Sequence, residues 1–318
     1  MTINALCSKG AVELAAMIRD REVSSREVVD AHLERIAAIN PTVNAVTTTL
    51  AVAARDAANA VDRALASGAQ LGPLAGVPFT VKENIDLAGA ATTWGLTAFA
   101  EQIASSDAPV VARLREAGAI PLARTNLPDW AFRWDVESSH AGRTLNPWNA
   151  ERVPGGTSGG EAAALASGMT PLGLGNGLGG SLRVPAQMCG IATIRPSRGR
   201  VAHHAVTQPW PEPLSFQMTN CQGPMARRVV DLRVALDLIS APDARDPRWV
   251  PAPLALPKAK APLRVAVLRD PAGGGIDPHV AAGIDRAADW LANAGYEVVE
   301  AEPPRILEVA QSWFDGIW

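Results

Sequence analysis

The chain has 318 residues, of which 47% are hydrophobic and 19% charged, so it is long enough for one large or two ordinary globular domains. Its formal net charge of −3 gives no indication of a nucleic-acid partner or an anionic membrane, because both normally require a clustered basic surface. The three cysteines, Cys7, Cys189 and Cys221, are an odd number without metal-type spacing, so buried thiols are expected rather than disulfides or a zinc site. Charges interrupt the N-terminal stretch where a secretory signal would be apolar, and no apolar run approaches the roughly 18 residues of a membrane span. A cytoplasmic protein is therefore expected.

The first 70 residues are predicted to form a helical segment. Ser24 and Glu27 make a capping box ahead of a second helix, and a third helix ends at Gly68. Apolar residues at helical spacing predict packing faces: Ala11, Leu14, Ala15 and Ile18 in the first helix, and Val29, Leu33 and Ile36 in the second. The pattern then changes to an apolar β-type run, 77–81, which ends directly before Lys82.

The middle of the chain alternates between helix and strand patterns. APVVARLREAG reads as a helix and AIPLART as a strand, which predicts an α/β fold. The polar stretch SSHAGRTLNPWNAERVPGGTSGG is a long loop, and loops of that length in compact domains are usually functional. A helix, EAAALASGM, leads to a second glycine-dense segment that carries Ser181. After a possible linker at 241–262, LRVAVLR, PHVAAGIDRAADWLANAG and YEVVEAE read as strand, helix and strand.

Two glycine motifs are rejected on their context. Gly175, Gly177 and Gly180 satisfy G-x-G-x-x-G, but a dinucleotide site needs a helix opening there, and Pro185 is expected to interrupt it. The stretch 156–160 satisfies G-x-S-x-G around Ser158, yet a polar segment rather than a strand precedes it, which disfavours a hydrolase nucleophile elbow.

A lysine and two glycine-flanked hydroxyls remain as a possible catalytic set. Ser181 follows Thr157 by 24 positions, and Lys82 follows a buried strand. A serine hydroxyl is too weak an acid to attack an amide unaided, but a lysine kept neutral by burial can serve as its base. Flanking glycines let backbone N–H groups approach a developing oxyanion.

At these residues the chain resembles the amidase signature family. The segments GVPFTVKENIDLAG, PGGTSGGEAAALASG, PLGLGNGLGGSLRVPAQMCG and GPMARRVVDLRVALDLISAPDARDP match its landmark segments in order, up to about residue 250. The resemblance implies a mixed β-sheet core surrounded by helices, amide hydrolysis through a seryl acyl-enzyme, and no cofactor or metal. It also implies Lys82 as base, Thr157 at the position of the cis-peptide serine, Ser181 as nucleophile, and an oxyanion hole from the N–H groups of Leu178, Gly179, Gly180 and Ser181.

Three positions depart from the family pattern. Thr157 keeps a hydroxyl where the family has serine but adds a methyl group, Gly177 replaces an acidic residue, and Arg195 replaces a lysine. We expect the Thr157 hydroxyl to lie within hydrogen-bond reach of both Lys82 and Ser181, after a cis peptide bond. The first two departures leave an inactive amidase-like binding protein as one alternative function, and the transamidating A-type subunit of a tRNA-dependent amidotransferase is the other.

The substrate is expected to be a small amide. Trp130, Ser158 and Arg183 are candidate substrate-binding residues, and Trp94 and Trp134 fall in segments that line the substrate approach in members of the family. Arg183 can alternatively tie loops together through its several donors. A homo-oligomer is possible.

The resemblance also predicts one amidase-signature domain without its C-terminal part, comprising a catalytic core at 71–240 and a C-terminal αβ segment at 263–318. Ile306, Val309, Trp313 and Ile317 share one face of a last predicted helix that ends at Trp318 without a stop signal. An exposed apolar patch around Trp313 and Trp318, or partner chains covering it, and weak activity of the chain alone are therefore expected.

Overall fold

The computed structural model describes residues 3–208, 210–255, 262–271 and 273–317. The chain divides into two compact units, Met1–Ala252 and Pro253–Trp318, and their boundary falls inside the segment 241–262. In the first unit the helices are α1 (Ile3–Cys7), α2 (Ala11–Arg19), α3 (Ser25–Val43), α4 (Ala51–Ala66), α5 (Pro109–Glu116), α6 (Gly159–Ala166), α7 (Arg183–Cys189), α8 (Leu214–Thr219) and α9 (Val229–Ile239). The predicted capping box is present: Ser24 Oγ accepts from the Glu27 N–H, and the Glu27 carboxylate accepts from the Ser24 N–H.

A six-stranded mixed sheet forms the centre of the first unit, as the α/β prediction required. Its strands run in the order β1-β3-β2-β6-β8-β7, with β2 parallel to both β3 and β6 and the remaining neighbours antiparallel. The strands are β1 (Val46–Thr49), β2 (Pro78–Lys82), β3 (Ile120–Thr125), β6 (Leu172–Gly177), β7 (Ala192–Thr193) and β8 (Cys221–Ala226). A separate two-stranded ribbon pairs β4 (Glu137–Ser138) with β5 (Gly142–Arg143).

Strand β2 is buried on both faces, and its two faces differ in chemistry. Val77, Phe79 and Val81 pack into a core with side chains from α2, α5 and α9. Because side chains alternate along a strand, Thr80 and Lys82 point the opposite way, toward the side of the sheet where α6 lies. A second hydrophobic core contains side chains from α3, α6 and β3. Lys82 is therefore carried into the interior by a strand whose five residues are all buried.

The second unit has the predicted strand, helix and strand order. Strand β9 (Arg264–Val267) pairs in parallel with β10 (Glu297–Glu300), with α10 (Pro278–Asn293) between them in sequence and α11 (Ile306–Ile317) after them. Many of its apolar side chains are exposed: Trp290, Leu307, Val309 and Phe314 are all more than half exposed. Of the predicted face of α11, Val309 is exposed but Ile306 and Trp313 are half-buried, so the predicted exposed patch is found only in part; Trp318 lies outside the described residues.

Two expectations about local structure were wrong. The first 70 residues are not wholly helical, because Val46–Thr49 forms the edge strand β1. The rejection of a dinucleotide site at the second glycine-dense segment agrees with the structure, because Gly175 and Gly177 lie within β6 rather than in a phosphate-binding turn. Pro185 does not interrupt a helix; it occupies the first turn of α7, where a backbone N–H has no intrahelical partner to lose.

None of the helices described in the structure is both long and apolar enough to span a membrane. The three cysteines are free and buried, as expected. Burial raises the pKa of the Cys7 thiol to about 11 and that of Cys189 to about 12, so neither is a reactive thiolate at neutral pH.

Candidate active site

Lys82 lies at the carboxyl end of β2 and is completely buried. Its ammonium donates to Thr157 Oγ1 at 2.5 Å and to Asn176 Oδ1 at 2.7 Å. The Asn176 amide in turn donates to Asn84 Oδ1 at 3.0 Å, which fixes its orientation. The first two members of the predicted set, Lys82 and Thr157, are therefore in direct contact.

Burial lowers the pKa of Lys82 well below its usual 10.5, because an ammonium loses hydration in the interior. The nearby Glu161 carboxyl opposes this shift. Glu161 is itself fully buried, and burial raises its pKa to about 7 against the lowering effect of hydroxyl donors. Thr80 Oγ1 and Thr125 Oγ1 donate to its two oxygens, the latter at 2.7 Å. Lys82 thus has the environment that a neutral amine base needs.

The first glycine loop presents Thr157 after a cis peptide bond between Gly156 and Thr157, as expected. Thr157 is 3% exposed and accepts the hydrogen bond from Lys82. The second expected contact is not formed: among the described residues, no hydrogen bond joins the Thr157 hydroxyl to Ser181. The two loops meet through Ser158 instead, whose N–H donates to the Ser181 carbonyl at 3.2 Å and whose buried hydroxyl donates to the Asn176 carbonyl at 3.2 Å.

Strand β6 has a face without side chains, the glycine face, formed by Gly173, Gly175 and Gly177. A Cβ at Gly173 would lie 2.0 Å from Glu161 Oε1, and one at Gly175 would lie 2.9 Å from Ser158 Oγ. A Cβ at Gly177 would lie 3.3 Å from the Ser181 nitrogen. The space that β6 side chains would fill is occupied by the site itself. Gly177, a departure from the family pattern, therefore fits a loop packed closely against the strand.

The second glycine loop, 178–181, carries a row of backbone donors with no acceptor. Within the described part of the chain, the N–H groups of Leu178, Gly179, Gly180 and Ser181 make no hydrogen bond. Three consecutive carbonyls of the same loop are engaged: those of Gly179, Gly180 and Ser181 accept from Trp134 Nε1, Val184 N and Ser158 N respectively. A loop with anchored carbonyls and free N–H groups can bind an anionic oxygen.

Ser181 ends this loop immediately before α7. Its side chain is 8% exposed, and its hydroxyl has no hydrogen-bond partner among the described residues. Ser158, by contrast, is completely buried with its hydroxyl engaged. Of the two serines, Ser181 is the one whose hydroxyl is unengaged.

Two of the three tryptophans of the predicted substrate approach, Trp94 and Trp130 but not Trp134, belong to one aromatic cluster. Trp94 and Trp130 both contact Trp210, with ring centroids 5.1 and 5.0 Å apart, and Phe99 packs edge-on against Trp130 at 5.6 Å. Trp130 is 40% exposed and has a positive φ of 60°. Trp94, by contrast, is buried, so Trp130 is the more accessible of these two tryptophans.

Arg183 is exposed at the start of α7, and its side chain makes no hydrogen bond or ion pair within the described residues. It therefore does not tie these loops together. Its role in substrate binding, like that of Ser158 and Trp130, stays a prediction.

Two residues of the site were not predicted from the sequence, Glu161 and Asn176. Glu161 stands in the first turn of α6, where an acidic side chain usually stabilises a helix end, and nothing local signals its burial. Asn176 was visible only as a polar residue in a glycine run. The described residues contain no group of three or more His, Cys, Asp or Glu side chains able to hold a metal ion.

Comparison with known proteins places this geometry in a family. The family model described as Amidase matches residues 27–318. An indoleacetamide hydrolase of Bradyrhizobium diazoefficiens is 46% identical over 96% of this chain, and the A-type subunit of glutamyl-tRNA(Gln) amidotransferase from Acidothermus cellulolyticus is 40% identical over 94%. The chain spans 59% of the length of each of these relatives.

A solved structure of peptide amidase from Stenotrophomonas maltophilia superposes with a TM-score of 0.84 and 28% sequence identity, covering 96% of this chain and 64% of that one. The shared fold, the family match and the ordered sequence motifs agree. The chain belongs to the Amidase family, the amidase signature proteins.

Proposed function

We propose that the protein hydrolyses the C–N bond of a carboxylic amide through an acyl-enzyme on Ser181, with Lys82 as the base and Thr157 as the hydroxyl between them. The observation that carries the proposal is the buried Lys82 amine, bonded to Thr157 and to Asn176 of β6, with a loop of four free N–H groups directly after that strand. Family membership and the identity to amide-cleaving relatives support the same reaction.

In the proposed acylation, neutral Lys82 takes the Thr157 proton as Thr157 takes the proton of Ser181. The Ser181 oxygen then forms a bond to the carbonyl carbon, and the carbonyl oxygen becomes an anion that the N–H groups of 178–181 stabilise. The proton held by Lys82 returns to the leaving nitrogen as the C–N bond breaks. Water, activated by the same relay, cleaves the ester and regenerates Ser181. The relay requires the Thr157 hydroxyl to turn toward Ser181 when substrate binds.

For the substrate we propose the primary amide of an arylacetic acid, with indoleacetamide as the first compound to test. The relative from Bradyrhizobium diazoefficiens is named as an indoleacetamide hydrolase. In the cluster of Trp94, Trp130 and Trp210, the exposed ring of Trp130 offers an aromatic contact for an indole ring. Action in the cytoplasm and a homo-oligomeric state stay predictions.

A serine-directed fluorophosphonate, with the labelled peptide located by mass spectrometry, tests the assignment. Labelling is expected on Ser181 and is expected to disappear in Ser181→Ala. Ser158→Ala is the matched control in the neighbouring loop and should keep the label. A label on Ser158 would contradict the proposed nucleophile, and a protein that takes up no label at all would support the inactive binding protein instead.

The second candidate function is that of the transamidating component of a tRNA-dependent amidotransferase, favoured by 40% identity to the A-type subunit of a glutamyl-tRNA(Gln) amidotransferase. Ammonia release from simple amides by the chain alone distinguishes the two. Release from indoleacetamide supports the amidase. If Ser181 is labelled by the phosphonate but the protein releases ammonia only from glutamine, the transamidating component is supported.

A further inference from the structure

A short segment, Arg133–Val136, crosses both glycine loops and is referred to below as the strap. It passes so close to the first loop that a Cβ at Gly156 would lie 2.4 Å from the Arg133 carbonyl oxygen. From the same strap, Trp134 reaches the second loop, where its indole Nε1–H donates to the Gly179 carbonyl at 3.2 Å. One segment therefore contacts the residue before Thr157 and the loop that precedes Ser181.

The hydrogen bond to Gly179 has a consequence for the next residue. In a planar trans peptide the C=O of one residue and the N–H of the next point in opposite directions. Holding the Gly179 carbonyl toward Trp134 therefore directs the Gly180 N–H away from Trp134. That N–H has no acceptor among the described residues. Gly180 has a φ of 110°, a backbone conformation that glycine adopts without the steric cost a side chain would bring.

The strap is anchored close to Trp134 by the packing of Val136. Val136 is completely buried, and a Cβ at Gly159 would lie 2.6 Å from its Cγ2 atom. The Val136 carbonyl also accepts from the Thr144 N–H at 2.9 Å. Trp134 lies two residues from this anchor and is 60% exposed, so its ring contributes little to the core. Its contact with Gly179 is the connection that matters for the loop.

We propose that Trp134 is a positioning residue for the oxyanion loop: its indole N–H holds the Gly179–Gly180 peptide in the orientation that presents the Gly180 N–H to the carbonyl oxygen of the substrate. The inference rests on the proposed amidase function, because the Gly180 N–H matters only if an oxyanion forms beside it. A donor that stabilises charge developing in the transition state affects the chemical step more than substrate binding.

The test replaces the indole donor and separates the two kinetic parameters. In Trp134→Phe, kcat for indoleacetamide and the rate constant of fluorophosphonate labelling should both fall about tenfold or more. KM should stay within about twofold, since the ground state does not use the donor. Trp148→Phe is the matched control, because Trp148 is also exposed and its Nε1 donates to a carbonyl, that of Cys189 at 2.7 Å, at the opposite end of α7. It should behave as the wild type.

A second variant tests the same hydrogen bond if Trp134→Phe does not fold. Benzothienylalanine at position 134 has the shape of tryptophan with sulfur in place of the N–H group, so it removes only the donor. It is expected to reproduce the loss in kcat and in labelling rate.

The outcomes separate this inference from the proposed function. If the wild type is labelled at Ser181 and both variants at 134 are labelled at the same rate, Trp134 does not position the loop, while the amidase assignment stands. A raised KM with unchanged kcat would show that Trp134 binds substrate instead, which also overturns the inference. If the wild type is not labelled at Ser181, the proposed function fails and the inference fails with it.

Discussion

Lys82→Met removes the proposed base with little change in shape. The side chain is completely buried, and methionine matches its length without its charge. Loss of a general base typically slows a reaction by about 10²- to 10⁴-fold. This corresponds to roughly 3 to 5 kcal/mol of barrier, since each factor of ten is about 1.4 kcal/mol. Labelling of Ser181 and release of ammonia should both fall by this factor.

The effect of Lys82→Met on stability should be much smaller than its effect on rate. The substitution removes the hydrogen bonds at 2.5 Å to Thr157 and 2.7 Å to Asn176, and the buried Asn176 oxygen loses its donor. An unpaired buried acceptor costs about 1 to 3 kcal/mol, and removal of a poorly hydrated amine offsets part of that cost. The free energy of unfolding is therefore expected to fall by less than about 3 kcal/mol.

Urea unfolding and phosphonate labelling, measured on the same preparations, separate these two effects. Lys9→Met is a matched control, because Lys9 is half-buried in an ion pair with Glu13, away from the sheet's interior. That variant should be labelled at the wild-type rate. Wild-type turnover by folded Lys82→Met would refute the reasoning and show that another group accepts the proton.

The contacts around Lys82 and β6 make three other substitutions informative. Thr157→Ser should raise the rate of phosphonate labelling several-fold, because serine lacks the methyl group that restricts χ1 and its hydroxyl can turn from Lys82 toward Ser181. An unchanged or lower rate would mean that threonine suits this position better than serine. Glu161→Gln should shift the acid limb of the kcat/KM profile to lower pH, because ionised Glu161 raises the pKa of Lys82 and a neutral side chain lets Lys82 lose its proton at lower pH. An acid limb that stays in place or moves to higher pH would contradict this coupling. Gly173→Ala should lower the free energy of unfolding, measured in urea, by about 3 kcal/mol, because its Cβ would lie 2.0 Å from Oε1 of Glu161, whose two carboxyl oxygens each accept from one threonine. A much smaller loss when Glu161 is also alanine would confirm the clash as the cause.

The sequence allowed prediction of features that depend on local pattern. Lys82 could be placed because the apolar run before it is long enough to be a buried strand, and α3 because its capping box and its apolar spacing agree. Strand β1 was missed because only Val46 of its four residues is buried, so the pattern of a half-buried strand is weak.

Features that depend on contacts between distant residues could not be predicted in the same way. Strand β8 contains Gly223 and Pro224, which normally argue against a strand paired on both sides, yet it pairs with β6 and β7. Glu161 is buried by threonines 81 and 36 residues away. The burial of Glu161 depends on the folded sheet, which brings Thr80, Thr125 and Gly173 together around its carboxyl group.

The glycine face of β6 also constrains how the sequence around it can change in length. Side chains alternate with a period of two, so inserting or deleting one residue within Leu172–Gly177 would turn the opposite face toward Glu161 and Ser158. The Leu174 side chain would then lie beside the buried Glu161 carboxyl group, where the present strand has only a glycine. A single-residue shift of this strand would therefore fill the site with leucine and asparagine side chains at once. Insertions and deletions are therefore expected to avoid β6 and to fall in loops such as 241–255.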